Sequence, residues 1–238
     1  MTDWVADLTK ETGDLLSTAW NVRDGTVVPE SEDVVLTDGA VKIDGVFLYA
    51  DLAASSRLAQ VCPWETTAKI IRAYLNCCIR LIRAYGGHIR SFDGDRVMGV
   101  FVGEMKNTYA VRCGREIFWM TEKIINVQAN SKFNSISNNS ISIQQCVGID
   151  AGTAVAVRAG IRNNNDLIWI GRPPSLAAKL SDVREYPHCV FVSDDVLKKI
   201  GSSEKIVNDS GIWEERKIGF GGKDIKIHRT KFMRHPNS

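Results

Sequence analysis

From residue 41 onward the sequence predicts an α+β fold, a ferredoxin-like antiparallel sheet covered by helices with additional C-terminal strands. Apolar residues recur at helical spacing in 63–87 and 106–128, and short runs of branched and aromatic residues lie between and after them. The resulting order is strand, helix, two strands, helix, strand. A chain of 238 residues with 44% hydrophobic and 24% charged residues is long enough for a real core, and its composition excludes disordered and fibrous classes. A net charge of +2 argues for neither a nucleic acid nor a membrane surface as partner. No apolar run approaches the ~20 residues that span a bilayer. The opening "MTDWVADLTK" lacks the basic start and apolar block of a secretion signal, so a cytoplasmic protein is expected. The 6 cysteines show no C-x-x-C spacing and sit mostly in apolar stretches, as reduced structural thiols do.

Residues 3–20 place Trp4, Val5, Leu8, Leu15, Leu16 and Ala19 near one helical face behind a Thr2 or Asp3 cap, a stripe that needs a partner surface. "NVRDGTVVPESED" reads as a polar linker or loose turn, which sets an N-terminal helix and linker over 1–40, the compact domain over 41–232 and a tail over 233–238. "VKIDGVFLYADL" is a buried strand ending near Asp51. In the helix that follows, Ile70, Ile71, Tyr74, Leu75, Cys78, Leu81, Ile82 and Tyr85 are in register, and Gly86 and Gly87 stop it. "HIRSFDGDRVMGVF" is a hairpin with Asp93, Gly94 and Asp95 at its tip. A second helix spans about 106–128, and the Ser/Asn-rich "ANSKFNSISNNS" reads as a loop. "ISIQQCVGIDAGTAVAVRAG" alternates as a pair of strands, and "DLIWIG" is another. "RPPSLAAKLSDV" starts a helix with proline in its first turn, and strand, helix and a final hairpin complete the chain.

The chemistry gathers around two carboxylates. In a ferredoxin-like sheet the first strand lies centrally beside the strand that follows the first helix, which brings Asp51 and Asp95 to one end of the sheet. Two converging carboxylates without an evident base beside them suit hard divalent cations, whose remaining places go to phosphates. The alternative is that Asp93 and Asp95 simply make the turn. Small residues after Asp51, with Ser55 and Ser56 at a helix start, offer backbone N–H groups to a polyphosphate.

These segments resemble the class III nucleotidyl cyclases, the adenylate and guanylate cyclase catalytic domains. "VFLYADLAASSRLA" looks like that family's first strand with its metal aspartate, and "GGHIRSFDGDRVMGVF" like its Gly-Asp hairpin. "VGIDAGTAVAVRAGIR" is similar to its glycine-spaced strands, and "WIGRPPSLAAKL" stands where G-x-x-V-N-x-A-x-R-L is usual. The resemblance runs from about Val41 to Thr230 and implies a cyclase homology domain, a homodimer with composite sites at the interface, and two divalent metal ions, Mn2+ or Mg2+. It makes Asp51 and Asp95 the metal ligands, with the Leu52 carbonyl as a further one. It aligns Arg162 with a triphosphate-contacting arginine, and Ser175 and Lys179 with the catalytic asparagine and arginine.

The departures from the family are informative. The base-reading lysine or glutamate becomes Ser91 and its polar partner becomes Ile168, although a small shift of the alignment nominates Asp166 instead. Lys179 keeps a positive charge but gives up the planar fork of arginine. Changed purine readers beside retained metal ligands resemble the bacterial pyrimidine cyclases of Pycsar antiphage systems, whose product triggers a separate effector. The resemblance implies cyclic UMP or cyclic CMP as product; the short hydroxyl of Ser91 with donors from Arg96 suits the carbonyl edge of uracil better, so UTP is the expected substrate and 3',5'-cyclic UMP the product. Tyr49, two residues before Asp51 on the same strand face, either closes a pocket around a smaller base or packs in the core, and Arg96 either donates to a pyrimidine carbonyl or makes a surface ion pair. The competing readings are a cytidylate cyclase, an adenylate cyclase, and a non-catalytic nucleotide-sensing dimer.

Overall fold

The computed structural model describes residues 3–53 and 55–238. Helix α1 (Trp4–Ser17) is capped by Asp3, whose side chain accepts hydrogen bonds from the Val5 and Ala6 amides at 3.1 and 3.2 Å. The alternative cap, Thr2, lies outside the described residues. No residue of α1 is buried, so among the described residues nothing covers its apolar stripe, and Trp4 is 72% exposed. The segment expected as a polar linker instead carries β1 (Asn21–Gly25), which pairs in parallel with the start of β2 (Gly39–Ala53). Val28 and Val34 beside it are buried.

After β2 come α2 (Ser55–Val61), α3 (Trp64–Ala84) and the hairpin of β3 (His88–Asp93) and β4 (Arg96–Phe101). The expected second helix is α4 (Lys106–Met120), which runs through one π turn at Thr121–Ile125 into α5 (Asn126–Lys132). The Ser/Asn-rich stretch is therefore not a loop: α5 and α6 (Asn134–Ser137) occupy most of it, with Ala129 and Ile136 buried. The segment expected as two strands is one strand of 18 residues, β5 (Gln144–Ile161), paired with β2 along nearly its whole length. It is followed by β6 (Asn164–Ile170), α7 (Arg172–Ser181), β7 (Val190–Ser193), α8 (Asp194–Lys199), a small pair of β8 (Ile206–Val207) and β9 (Ser210–Gly211), and the hairpin of β10 (Glu214–Phe220) and β11 (Lys223–Thr230).

The main sheet runs β10-β11-β7-β5-β2-β4-β3, with β1 added to β2 and β6 to β5. Its inner strands keep the ferredoxin-like order, but the sheet is mixed rather than antiparallel, because β1 with β2 and β5 with β7 are parallel. The neighbour of β2 is β4, the second strand of the hairpin, and β3 forms the edge. The two-residue period of β2 divides the core. Val46, Leu48, Ala50 and Leu52 point into the cluster built with α3 and α4, whereas Phe47 packs on the other face with Met98, Val100, Ala154 and Ala177 of α7. The helix α7 presses on β5 at Gly148, where only a hydrogen in place of a side chain lets the Ala177 carbonyl approach.

Candidate active site

The face of β2 toward α7 ends in Tyr49 and Asp51, and the ladder sets their neighbours. Tyr49 and Ser91 both pair with Met98, so Tyr49, Met98 and Ser91 form one rung across three strands. On the next rung Asp51 and Asp93 both pair with Arg96. Gly94, at φ +62, makes the tight turn that places Asp95 directly before Arg96 and next to Asp51. A backbone shift between Ile89 and Ser91 in β3 brings Ser91 into this register.

Electrostatics tie the rungs together. The Arg96 guanidinium donates to Asp93 at 2.8 Å, lies 3.6 Å from Asp182, and stands 5.5 Å from the centroid of the Tyr49 ring. Arg184 donates to Asp51 through Nη2. Asp182 and Arg184 come from the end of α7 and just beyond, so this helix is fastened to the sheet by two ion pairs. Burial is the largest influence on the Asp51 carboxyl and pushes its pKa up; Arg184 pulls it down, and the negative charge of Asp95 adds to the rise. Burial likewise raises the Tyr49 hydroxyl, with Arg96 opposing. Asp51 thus has a basic partner, which sequence reasoning missed; nothing in the local spacing marks Asp182 or Arg184, because their contact depends on where α7 crosses the sheet.

The donors gathered here fit a divalent cation in kind: carboxylate oxygens from Asp51 and Asp95, with the Leu52 carbonyl next along β2, are the hard ligands such ions take. The Leu52 side chain itself is 2% exposed and belongs to the opposite core. That Arg184 already lies against Asp51 shows that this carboxylate is compensated by positive charge. Ser55 and Ser56 open α2, half-buried and exposed respectively.

Other expected site residues lie elsewhere in the same chain. Ser175 and Lys179 are exposed on α7; the Ser175 hydroxyl donates to the Gly171 carbonyl at 3.0 Å, and Lys179 shares an open cleft with the turn at 219–224. Arg162 lies in the turn after β5. Because Asp51 pairs with Cys146 while Ala40 pairs with Val157, that turn is at the other end of the ladder, about 50 Å of extended strand away. Ile168 is 47% exposed on β6 and pairs with Val157, remote from the Tyr49 rung. The alternative, Asp166, accepts from the Ser31 hydroxyl at 3.1 Å and from the Leu167 amide at 2.7 Å.

The crystal structure of the guanylyl cyclase Cya2 superposes with a TM-score of 0.67 over 82% of this chain and 95% of that one, at 18% sequence identity, so the architecture is that of the class III nucleotidyl cyclases. No protein-family model matches the sequence. Among curated proteins, the uridylate cyclase of Rhodovulum sp. (strain MB263) is 42% identical over 221 residues, 92% of each chain. The uridylate cyclase of Xanthomonas perforans is 33% identical over 210 residues, 88% of this chain and 89% of its own. The chain belongs to the uridylate cyclase family.

Proposed function

We propose that this protein is a metal-dependent uridylate cyclase that converts UTP to 3',5'-cyclic UMP and pyrophosphate. The observation that carries the reading is its near full-length relationship to proteins named for that activity. The rung of Tyr49, Met98 and Ser91 beside Asp51 supports it, because Ser91 presents only a short hydroxyl where the resemblance expects the side chain of a purine reader, and Met98 is buried beneath. In the reaction the ribose 3'-oxygen bonds to the α-phosphorus, its proton is lost, and the bond from that phosphorus to the bridging oxygen of pyrophosphate breaks.

Asp51 and Asp95, with the Leu52 carbonyl, would hold two Mn2+ or Mg2+ ions. When bound, such ions acidify the attacking hydroxyl and offset charge on the phosphates. Ser55 and Ser56 lie at the helix start beside the triphosphate. Tyr49 walls the base, while Ser91 and Arg96 address its carbonyl edge, which suits uracil better than the amino edge of cytosine. Lys179 and Ser175, exposed on α7, act from the partner subunit in a homodimer with composite sites, and Arg162 contacts the triphosphate; the separation of Arg162 from Asp51 within one chain supports a shared site. Ile168 leaves the second purine contact unmade.

Among the described residues no helix is long and apolar enough to cross a membrane. The reading puts a nucleotide-binding homodimer in the cytoplasm, with no nucleic acid or membrane partner. Its product is a second messenger for a separate cyclic-nucleotide-sensing effector in antiphage defence, the role carried by the Pycsar systems its motifs resemble. Incubating the purified chain with the four ribonucleoside triphosphates and Mn2+ and weighing the products tests it. Cyclic UMP should dominate; chiefly cyclic AMP or cyclic GMP would overturn the reading of Ser91, and chiefly cyclic CMP would overturn the choice of uracil.

A further inference from the structure

We infer that Arg184 is a loading residue of this site: it neutralises Asp51 while the carboxylate is free of metal, and turns to the substrate's triphosphate once a cation takes Asp51. The inference rests on the reading of Asp51 as a metal ligand.

Three observations carry it. Among the described residues Arg184 has one acidic partner, Asp51, contacted through Nη2. Its other nitrogen, Nη1, donates to the main-chain carbonyls of Ser181 at 2.5 Å and Val183 at 3.3 Å, which fixes the guanidinium to the end of α7 whatever Nη2 is doing. The Asp51 side chain is only 12% exposed and the Arg184 side chain 42% exposed, so the arginine reaches from the surface to a carboxylate that is largely withdrawn from solvent. A cation that takes Asp51 through Oδ2 displaces Nη2 of a group that stays anchored through Nη1.

Charge decides where that nitrogen goes next. Around Asp51 stand Asp93, Asp95 and Asp182 against Arg96 and Arg184, and Arg96 is already held between Asp93 and Asp182. When Asp51 coordinates a cation, Arg184 is left beside the site as a guanidinium with no carboxylate. The anion that enters with the metal is a triphosphate, and a planar guanidinium matches phosphate oxygens with two parallel donors. Arg184 therefore competes with the metal for the empty site and assists the nucleotide in the loaded one. A residue that only stabilised the fold would do neither.

Those opposite effects make the test. The reporter ligands are Mn2+ alone, followed by electron paramagnetic resonance, and 3'-deoxy-UTP, which lacks the attacking hydroxyl, titrated with Mn2+ present. In Arg184→Gln, Mn2+ without nucleotide should bind about threefold to tenfold more tightly, because the competing cation is gone. Binding of 3'-deoxy-UTP should weaken by about tenfold or more, through loss of a charged phosphate contact. Arg184→Lys should restore part of the nucleotide affinity and weaken Mn2+ binding again. If both affinities of Arg184→Gln stay at wild-type values, or both fall together, the inference is overturned. Asp51→Asn separates the underlying reading: it should abolish tight Mn2+ binding, and unchanged Mn2+ binding in that variant overturns the assignment of Asp51 and the inference with it.

Discussion

Gly148 offers the sharpest link between packing and chemistry. It lies on β5 opposite Tyr49 and directly beneath α7. A Cβ built there would stand 2.2 Å from the Ala177 carbonyl oxygen, 2.5 Å from the Ser181 amide nitrogen and 2.6 Å from the Leu180 Cβ. Two of these three are backbone atoms, so no side chain can rotate away, and ordinary contact requires α7 to retreat by about 1 Å. Gly148→Ala should therefore cost about 2 kcal/mol of stability, within the range for overpacked cores. The functional loss should be larger than that figure suggests. The helix carries Ser175 and Lys179, and its end holds Asp182 and Arg184 against Arg96 and Asp51. A shift of about 1 Å in groups that orient a reaction reduces rate by roughly 10²-fold. Urea unfolding followed by circular dichroism measures the first effect, and cyclic UMP formation at saturating UTP and Mn2+ the second. A variant with activity within about threefold of wild type and stability within ~0.5 kcal/mol would show that α7 is not seated as described and would refute the reasoning.

Glu204→Gln should destabilise the fold by about 3 kcal/mol in urea titration, because the carboxylate is fully buried between Arg112 at 2.7 Å and Arg115 at 2.6 Å, and Arg115 is itself 3% exposed; a loss below ~1 kcal/mol would contradict that account. If the sites are shared between subunits, an equal mixture of Asp51→Ala and Lys179→Ala chains, each inactive alone, should recover about a quarter of wild-type activity, since half of the dimers are mixed and each has one intact site; no recovery after subunit exchange would argue for sites within one chain. The Asp194 carboxyl is held down to about 2, first by Lys198 and then by His228. A carboxyl depressed in the folded state adds stability above its unfolded pKa, so this contribution should fade as pH falls from about 4 to about 2. Asp194→Asn should flatten the stability profile in that window, and an unchanged profile would mean that the pair does not form in solution.

The sequence made some elements legible and hid others for identifiable reasons. The period of α3 was readable because Ile70, Tyr74, Cys78 and Ile82 all reach the core from one face. The Ser/Asn-rich stretch misleads because its composition suggests a loop while its few apolar residues, Ala129, Phe133 and Ile136, are spaced to anchor short helices. Asn126 adds a long-range anchor that propensity does not contain: its side chain accepts from the Ile143 amide and donates to the Ile143 carbonyl, both at 2.7 Å. The first strand escapes detection because "NVRDG" has no apolar alternation, and its order comes from parallel pairing with β2. Gly152 looks like a strand break, yet at φ +147 it keeps its place in the ladder opposite Gly45. At the candidate site, Asp51 and Asp95 could be paired from topology alone, whereas Arg184 could not, since its position follows from the crossing of α7.

The length of β5 bears directly on how this site is completed. A strand of 18 residues carries its terminal turn to the far end of the sheet from Asp51, Asp95 and Arg96, so Arg162 and that cluster cannot meet within one chain. The same extension leaves Ile161 61%, Ile168 47% and Ile170 53% exposed at its tip and along β6. An apolar strip on a projecting hairpin is costly in water unless another surface covers it, and the residues that family resemblance assigns to phosphate and base contact, Arg162 and Ile168, lie on that hairpin. A second copy seated against it would cover the strip and supply the missing contacts in a single event. The departure at Ile168 then has a physical reading. A polar purine contact at that position would put a side chain in need of a partner at the interface, whereas isoleucine adds only apolar area. If that hairpin is the dimer face, loss of the purine reader and strengthening of the face are one and the same substitution.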